Sequence, residues 1–383
     1  MMKRMKNLVT LLRWIFGLIF IFSGFVKGID PWGLQYKLED YLLAMGLDSL
    51  SFLAPLGSFV LPFAEFIIGA GMLLCIRIPL TSLLGLVFMA FFTPLTLYVA
   101  ISNPVTDCGC FGDALVITNW ETFFKNIVLS AIIILIYARR RRIEPAILGK
   151  WRFYRLGIIT TIYIGFVVWS YRHDPAFDFR PYKVGVNIPE AMKMPEGAQG
   201  DLYSNTFFYR NRKTSEIKKF SDNDYPWKDT INWKYESMGD AVLVRKGYTP
   251  PIHDFQIRTA NGDDVTSFFL TDDKPTFFLV AYDLTKSSRK MQGRLNELSA
   301  WAGSSGYNFV CLTSTTGVQL EEFKQAAGPT YEFLFCDEVT LKTIIRSNPG
   351  LLYLRGGTIF RKWHYNDIPS SEEMSNVVSK VIK

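Results

Sequence analysis

The chain has 383 residues, a formal net charge of +7, 49% apolar residues and only five cysteines. Its apolar residues crowd before about residue 170, which excludes a single soluble domain and leaves room for two or three units. Basic residues before and between the apolar runs account for the charge through topology, so no nucleic-acid partner is expected. Runs at 8–26, 52–75, 80–101, 120–138 and 153–169 approach the roughly 20 residues needed to cross a bilayer. The fourth is the weakest, because it holds Glu121 and Lys125, but Trp120, Phe123 and Phe124 fit an interfacial aromatic belt. The first resembles a signal peptide in position, yet it is long, contains Arg13 and has no small-residue cleavage site, so it reads as an uncleaved helix. Lys3, Arg4 and Lys6, then Arg77, then Arg139 to Arg142 with Lys150, Arg152 and Arg155, share one side if every run crosses once. The positive-inside rule makes that side the cytoplasm. The stretch "TDCGCFGD" at 106–113 and everything after Trp169 then face a periplasm-like space outside an inner membrane, where disulfides persist.

Arg13, Lys27 and Glu65 are ionisable residues in or beside the first two spans, where unpaired charge is costly. Arg13 and Lys27 read as interfacial anchors. Glu65, deep in "LPFAEFIIGAG", must find a partner in the bundle, and Gly69, Ala70 and Gly71 let a neighbouring helix approach. In the loop, Cys108 and Cys110 bracket one glycine, and three readings stay open. As a redox pair they close a very small ring, and strained disulfides are the exchange-prone ones. Asp107 and Asp113 raise the thiol pKa, which favours an oxidised pair that is attacked over a thiolate that attacks. As a soft-metal clip they lack a third ligand nearby in sequence, so no metal or other cofactor is expected. As a structural staple they merely hold the loop.

"LLRWIFGLIFIFSGFVKGIDPWG", "LPFAEFIIGAGMLL" and a third span followed by "CGCFGD" resemble the DoxX/MauE group of four-helix membrane proteins over residues 8–138. The "CGCFG" loop resembles the MauE branch in particular. That resemblance implies thiol–disulfide work at the outer membrane face beside a thioredoxin-like partner, with Cys108 and Cys110 as the matching residues. The fifth helix and the long C-terminal region depart from the four-helix pattern.

The domains expected are a bundle at 1–140, a basic connection and fifth span at 141–171, a β-rich linker module at 172–249 and an α/β domain at 250–383. In the linker, "LYSNTFFYRN", "TINWKYES" and "DAVLVRK" read as short strands. From Pro250, "IHDFQIRTANGDDVT" reads as a hairpin. Buried strands at "KPTFFLVAYD", "YNFVCLTST" and "YEFLFCD" alternate with helices at "SRKMQGRLNELSAWAGSSG" and "GVQLEEFKQAAG", and "LLYLRGGTIFRKWH" closes as a hairpin. This order resembles a thioredoxin-like domain of the TlpA/peroxiredoxin type, which implies a cis proline at Pro349. The redox C-x-x-C of that family is replaced by "AYDLTKSSRKM". Cys311 and Cys336 lie in apolar strands and read as small buried hydrophobes, with a bridge between neighbouring strands as the alternative. His173, His253 and His364 show no metal-ligand spacing.

The sequence therefore predicts a membrane bundle followed by a thioredoxin-like domain, assisting thiol–disulfide handling of exported proteins. Cys108 and Cys110 are the candidate thiols, Pro349, Glu65 and Lys27 the candidate binding residues, and the lipid bilayer and a periplasmic client or thiol-redox protein the partners. A non-enzymatic membrane scaffold is the rival reading, and a transporter built around Glu65 a weaker one.

Overall fold

The computed structural model describes residues 2–105, 109, 111–143 and 150–382. Cys108 and Cys110 lie outside the described residues. The chain divides into two compact units, 1–185 with 256–383, and 186–255.

The N-terminal part is helical: α1 Met2–Ile29, α2 Pro31–Ala44, α3 Ala54–Leu73, α4 Ile78–Ser102, α5 Asn119–Arg139 and α6 Trp151–Arg172. Among the described residues, five segments are long and apolar enough to cross a membrane: Lys6–Ile29, Asp48–Leu73, Ile78–Ser102, Asn119–Arg139 and Trp151–Arg172. Helices α1 and α3 approach closely where they lack side chains. A Cβ on Gly17 would lie 3.1 Å from the Gly69 carbonyl oxygen, and one on Gly24 would lie 2.6 Å from that of Pro62. Helix α4 packs on α5, while α6 lies against α1 and α3. Tyr163 of α6 stacks on Phe66 at 3.9 Å and donates to the Gly24 carbonyl at 2.7 Å.

Three local features differ from the sequence reading. Glu121, which weakens the fourth span on paper, sits in its first turn in a reciprocal capping box with Thr118. Arg13 is buried instead of anchoring at the interface. Its guanidinium donates to the Met72 and Leu73 carbonyls, the latter at 3.0 Å, and so satisfies the C-terminal end of α3. Helix α2, which carries Gln35, Lys37, Glu39 and Asp40, is too polar to register as an apolar run. It begins because Pro31 presets the first helical φ and Asp30 caps the Gly33 amide at 2.8 Å.

In the second unit, α7 Ile188–Met192 precedes a three-stranded antiparallel sheet of order β2-β1-β3, formed by β1 Leu202–Asn211, β2 Ile217–Ser221 and β3 Trp233–Arg245. Two short strands expected at 230–246 are one long β3. Gly239, where a break was expected, instead receives the Phe208 ring, whose nearest atom would lie 3.0 Å from a Cβ there. Tyr209 meets Phe220, Tyr225 and Tyr235 on one face of this sheet.

The α/β domain runs α8 Thr266–Thr271, β4 Thr276–Val280, α9 Gln292–Ser304, β5 Asn308–Thr313, α10 Gly317–Ala327, β6 Glu332–Phe335, α11 Glu338–Ile344, β7 Gly350–Arg355, β8 Thr358–His364 and α12 Ser371–Ile382. The sheet order is β6-β5-β4-β7-β8, with β4, β5 and β6 parallel and β7 and β8 antiparallel to their neighbours. Every residue of β4 is buried, as befits a central strand covered on both faces. Phe277, Leu279, Cys311, Leu351 and Tyr353 form the core with Leu295 and Leu298 of α9 and Met374 and Val378 of α12. Gly356 and Gly357, with φ of +53° and +72°, make the two-residue turn between β7 and β8. The hairpin expected near 252–266 reduces to isolated bridges from Arg258 to Asp264 and to Phe335, because the chain coils into α8 directly after the turn.

Candidate functional site

Lys27 near the end of α1 donates to Glu65 Oε1 of α3 at 2.6 Å and to Ser23 Oγ at 3.1 Å. Both side chains are almost buried, at 11% and 7% exposure. The structure thus joins these two candidate residues, and the mid-span carboxylate has a counter-ion. The neighbouring Lys125 ammonium lies over the Phe111 ring at 4.3 Å, and Phe22 meets the same ring at 5.5 Å. Phe111, directly after Cys110, is buried and fixes the end of the cysteine loop onto the bundle. Gly109 and Gly112 take φ of +62° and +54°, and the Gly112 amide donates to the Gly109 carbonyl at 3.0 Å. A side chain at either position would be strained in this left-handed turn.

The α/β domain meets the bundle through two segments, with Tyr282 on Tyr36 of α2 and Arg346 on Asp30 and Asp113. One follows β4 and carries Tyr282 and Asp283, with no cysteine in it. The other precedes β7, where the Asn348–Pro349 bond is cis. Asn348 ties the two together, donating to the Asp283 carbonyl at 2.7 Å and accepting from the Ser288 amide at 2.9 Å. Residues 346–350 are buried throughout, Pro349 included.

Arg346 reaches out of this segment to the bundle. Its Nε donates to Asp30 Oδ2 at 2.7 Å and its Nη2 to Asp113 Oδ2 at 3.3 Å. Tyr36, six residues past Asp30, donates its hydroxyl to that of Tyr282 at 3.1 Å and lies beneath the Lys342 ammonium at 4.9 Å. Burial, with the Tyr282 hydroxyl next to it, drives the Tyr36 phenol far above its ordinary value. Burial likewise pushes Tyr282 up to about 12, against the hydrogen bond it accepts from Tyr36. Neither hydroxyl ionises near neutral pH, so neither replaces the missing nucleophile. Burial raises the Asp113 carboxyl, while Arg346 pulls it back.

These groups enclose a cleft of about 280 Å³, whose walls include Lys27, Asp30, Tyr36, Gly109, Asp113 and Arg346. Arg180 and Asp178, from the stretch after α6, complete it. Burial alone would raise the Asp178 carboxyl, but Arg180 and Lys362 overcome it and hold it below the usual range. Arg180 Nε donates to Asp178 at 2.7 Å and Lys362 Nζ does so at 2.8 Å, so the stretch after α6 is pinned to β8.

Cys311 and Cys336 are separate buried thiols. Cys311 pairs in register with Phe333, three positions from Cys336 along the strand direction. At about 3.3 Å per residue that places them beyond the reach of a disulfide. Burial drives the Cys311 thiol well above its ordinary value, so it is inert. Among the described residues, no group of three His, Cys, Asp or Glu could hold a metal ion. Sequence reading had passed over Asp30, Tyr36, Tyr282 and Arg346. Their one visible signal was "RSNPG", an arginine just before the predicted cis proline.

Fold and site together define a multi-pass helical membrane protein carrying a thioredoxin-like domain that rests on its own bundle through Tyr282 and Arg346. Residues 5–139 match the family described as methylamine utilisation protein MauE. No curated protein matches the chain. Among solved structures, StoA from Bacillus subtilis aligns at 16% identity and a TM-score of 0.26, over 32% of this chain and 95% of its own. A secreted Mycobacterium tuberculosis disulfide oxidoreductase homologous to E. coli DsbE aligns at 16% identity and a TM-score of 0.25, over 33% and 96%. A DsbF homologue from Corynebacterium diphtheriae aligns at 11% and 0.26, over 33% and 84%.

Proposed function

We propose that this protein sits in the inner membrane, with its N-terminus cytoplasmic and its thioredoxin-like domain periplasmic, and assists thiol–disulfide handling or maturation of exported proteins. Cys108 and Cys110 supply the exchanging pair. The domain, lacking a pair of its own, presents a client or redox partner through its groove near Pro349. One observation carries the reading: Asp113, three residues after Cys110, is paired with Arg346, three residues before Pro349. Gly109, Gly112 and Asp113 of the loop therefore line one cleft with Arg346. Arg346 also offsets the Asp113 charge, which on its own would disfavour a thiolate in the loop.

In the exchange, a client thiolate attacks one sulfur of the oxidised pair, and the S–S electrons leave with the other sulfur. A second client thiolate then attacks the mixed disulfide. The client gains a disulfide, Cys108 and Cys110 become thiols, and a partner disulfide takes up the two electrons to restore them. Lys27 and Glu65 hold α1 and α3 together beneath the loop. The alternative, a non-enzymatic scaffold with a pseudo-thioredoxin binding domain, is favoured by Tyr282 and Asp283 standing where a nucleophile belongs.

Cys108→Ser and Cys110→Ser single variants in cells separate the two. Exchange chemistry expects each single variant to trap a partner as a mixed disulfide, and expects the native pair to change oxidation state on mild reduction. No trapped partner, and a pair that never changes state, would leave the scaffold.

A further inference from the structure

The face through which a thioredoxin fold meets a client is already engaged here by a helix of the same chain. We propose that the thioredoxin-like domain is a lid, latched onto α2 by Arg346 and Tyr36, and that a client enters by displacing α2 with an acidic segment carrying an aromatic side chain. This rests on the reading above, of which it names the regulation and the kind of partner.

The latch is built from both sides. Arg346, 8% exposed, bonds two carboxylates from different loops of the bundle, Asp30 and Asp113, and the carbonyl of Lys342 one turn back in its own domain. A charged side chain this enclosed is costly unless paired, so the clasp specifies one docked arrangement. Position 33 is shaped around it. A Cβ there would meet the Asp30 carboxylate and lie 2.8 Å from Arg346 Nη2, so any larger residue would have to push the ion pair aside. Asp30 caps α2, Gly33 and Tyr36 lie one turn apart within it, and all three meet Arg346. Tyr36 closes the far end, its ring 5.5 Å beneath the Arg346 guanidinium and its hydroxyl on Tyr282.

Helix α2 thus presents to the domain a carboxylate and, six residues on, an aromatic ring with a hydroxyl. The domain offers Arg346, Lys342 and Tyr282 in return. A client segment of the same chemistry competes for the same groups. The domain stays tethered when the latch opens, because the Asn366 side chain donates to the Arg172 carbonyl at 2.8 Å and Asp367 lies 2.7 Å from His173 Nδ1, both at the end of α6 and apart from the latch.

Hydrogen exchange on the full chain in detergent tests this, in a Cys108→Ser/Cys110→Ser background so that the result is independent of thiol chemistry. Asp30→Asn keeps the cap on α2, since asparagine caps as well as aspartate, but removes the charge facing Arg346. Asp30→Asn and Arg346→Gln should each raise exchange in 31–44 and 346–350 about tenfold or more, and leave β4 and β5 unchanged. A soluble peptide with Asp and Tyr six residues apart, added to the unsubstituted latch, should raise exchange in 31–44 and slow it in 346–350. The same peptide with Asn for Asp should do neither. Unchanged exchange in both variants, a rise that spreads equally through β4 and β5, or a peptide without effect on α2 overturns the proposal.

Discussion

His364 is the buried imidazole of the α/β domain, 1% exposed at the end of β8. The Asn366 amide donates to its Nδ1 at 3.2 Å, which puts the ring proton on Nε2, and that atom finds no partner among the described residues. Burial lowers its pKa to about 4, although Asp367 and Asp174 pull the other way. The unfolded chain binds this proton near the ordinary value of about 6.5. Folded-state protonation is therefore the harder of the two. The stability tied to neutral His364 is complete above about pH 6.5 and is lost as pH falls toward 4. Chemical denaturation of the full chain should show stability declining through that window, by at most about 1.4 kcal/mol per pH unit from this group. His364→Gln, which cannot take a proton, should flatten the decline. An unchanged slope in the variant would show that other groups set it.

Lys27 and Glu65 lock α1 to α3, and the cost of undoing the lock depends on what is left behind. Glu65→Leu strands an ammonium in a low-dielectric bundle, a loss on the order of 3–5 kcal/mol for a broken buried pair. Glu65→Gln keeps an acceptor for Lys27 and should be milder. The double variant Lys27→Met/Glu65→Leu should recover much of the loss, because no charge remains unpaired. Protein abundance and thermal unfolding of the three in detergent check the order. Equal losses in Glu65→Leu and in the double variant would show that packing, not charge, holds the helices. Both residues were visible in sequence because a lone carboxylate interrupts an apolar run. The five spans and the strands β4 to β8 were legible for a related reason: burial on one or both faces writes apolar runs of fixed length. Elements that owe their form to something else were not. Helix α2 depends on its cap and on the domain it touches. Strand β2, "IKKFS", is a charged edge, and α12 shows only Met374, Val377, Val378 and Val381 as the stripe it packs on α9. The latch was illegible because Asp30 and Arg346 are joined only by the fold. They lie 316 positions apart, and no periodicity links a cap on one helix to an arginine before a distant strand.

At the scale of the whole molecule, the contacts fix which ends of the helices lie together. Arg346 gathers Asp30 at the end of α1 and Asp113 in the loop after α4, while Trp32 stacks on Tyr171 at the end of α6. These three ends share one side of the bundle with the thioredoxin-like domain. Arg13, near the start of α1, bonds the last turn of α3 on the opposite side. Arg77 just before α4, Arg139 at the end of α5 and Lys150 just before α6 lie at the helix ends of that side too. Moving such a concentration of Lys and Arg across a membrane is disfavoured, and the proposed topology, with that side cytoplasmic and the cleft periplasmic, rests on this rule. Single reporter cysteines test the assignment, introduced with Cys108 and Cys110 replaced by serine and with the buried Cys75, Cys311 and Cys336 left in place. Glu196→Cys, on an exposed position of the second unit, should react with a membrane-impermeant maleimide in cells whose outer membrane is permeable. Lys150→Cys, exposed just before α6, should react only after the inner membrane is opened. The reverse pattern would place the loop in the reducing cytoplasm, where a persistent Cys108–Cys110 disulfide is not expected, and the exchange mechanism would fall with the topology.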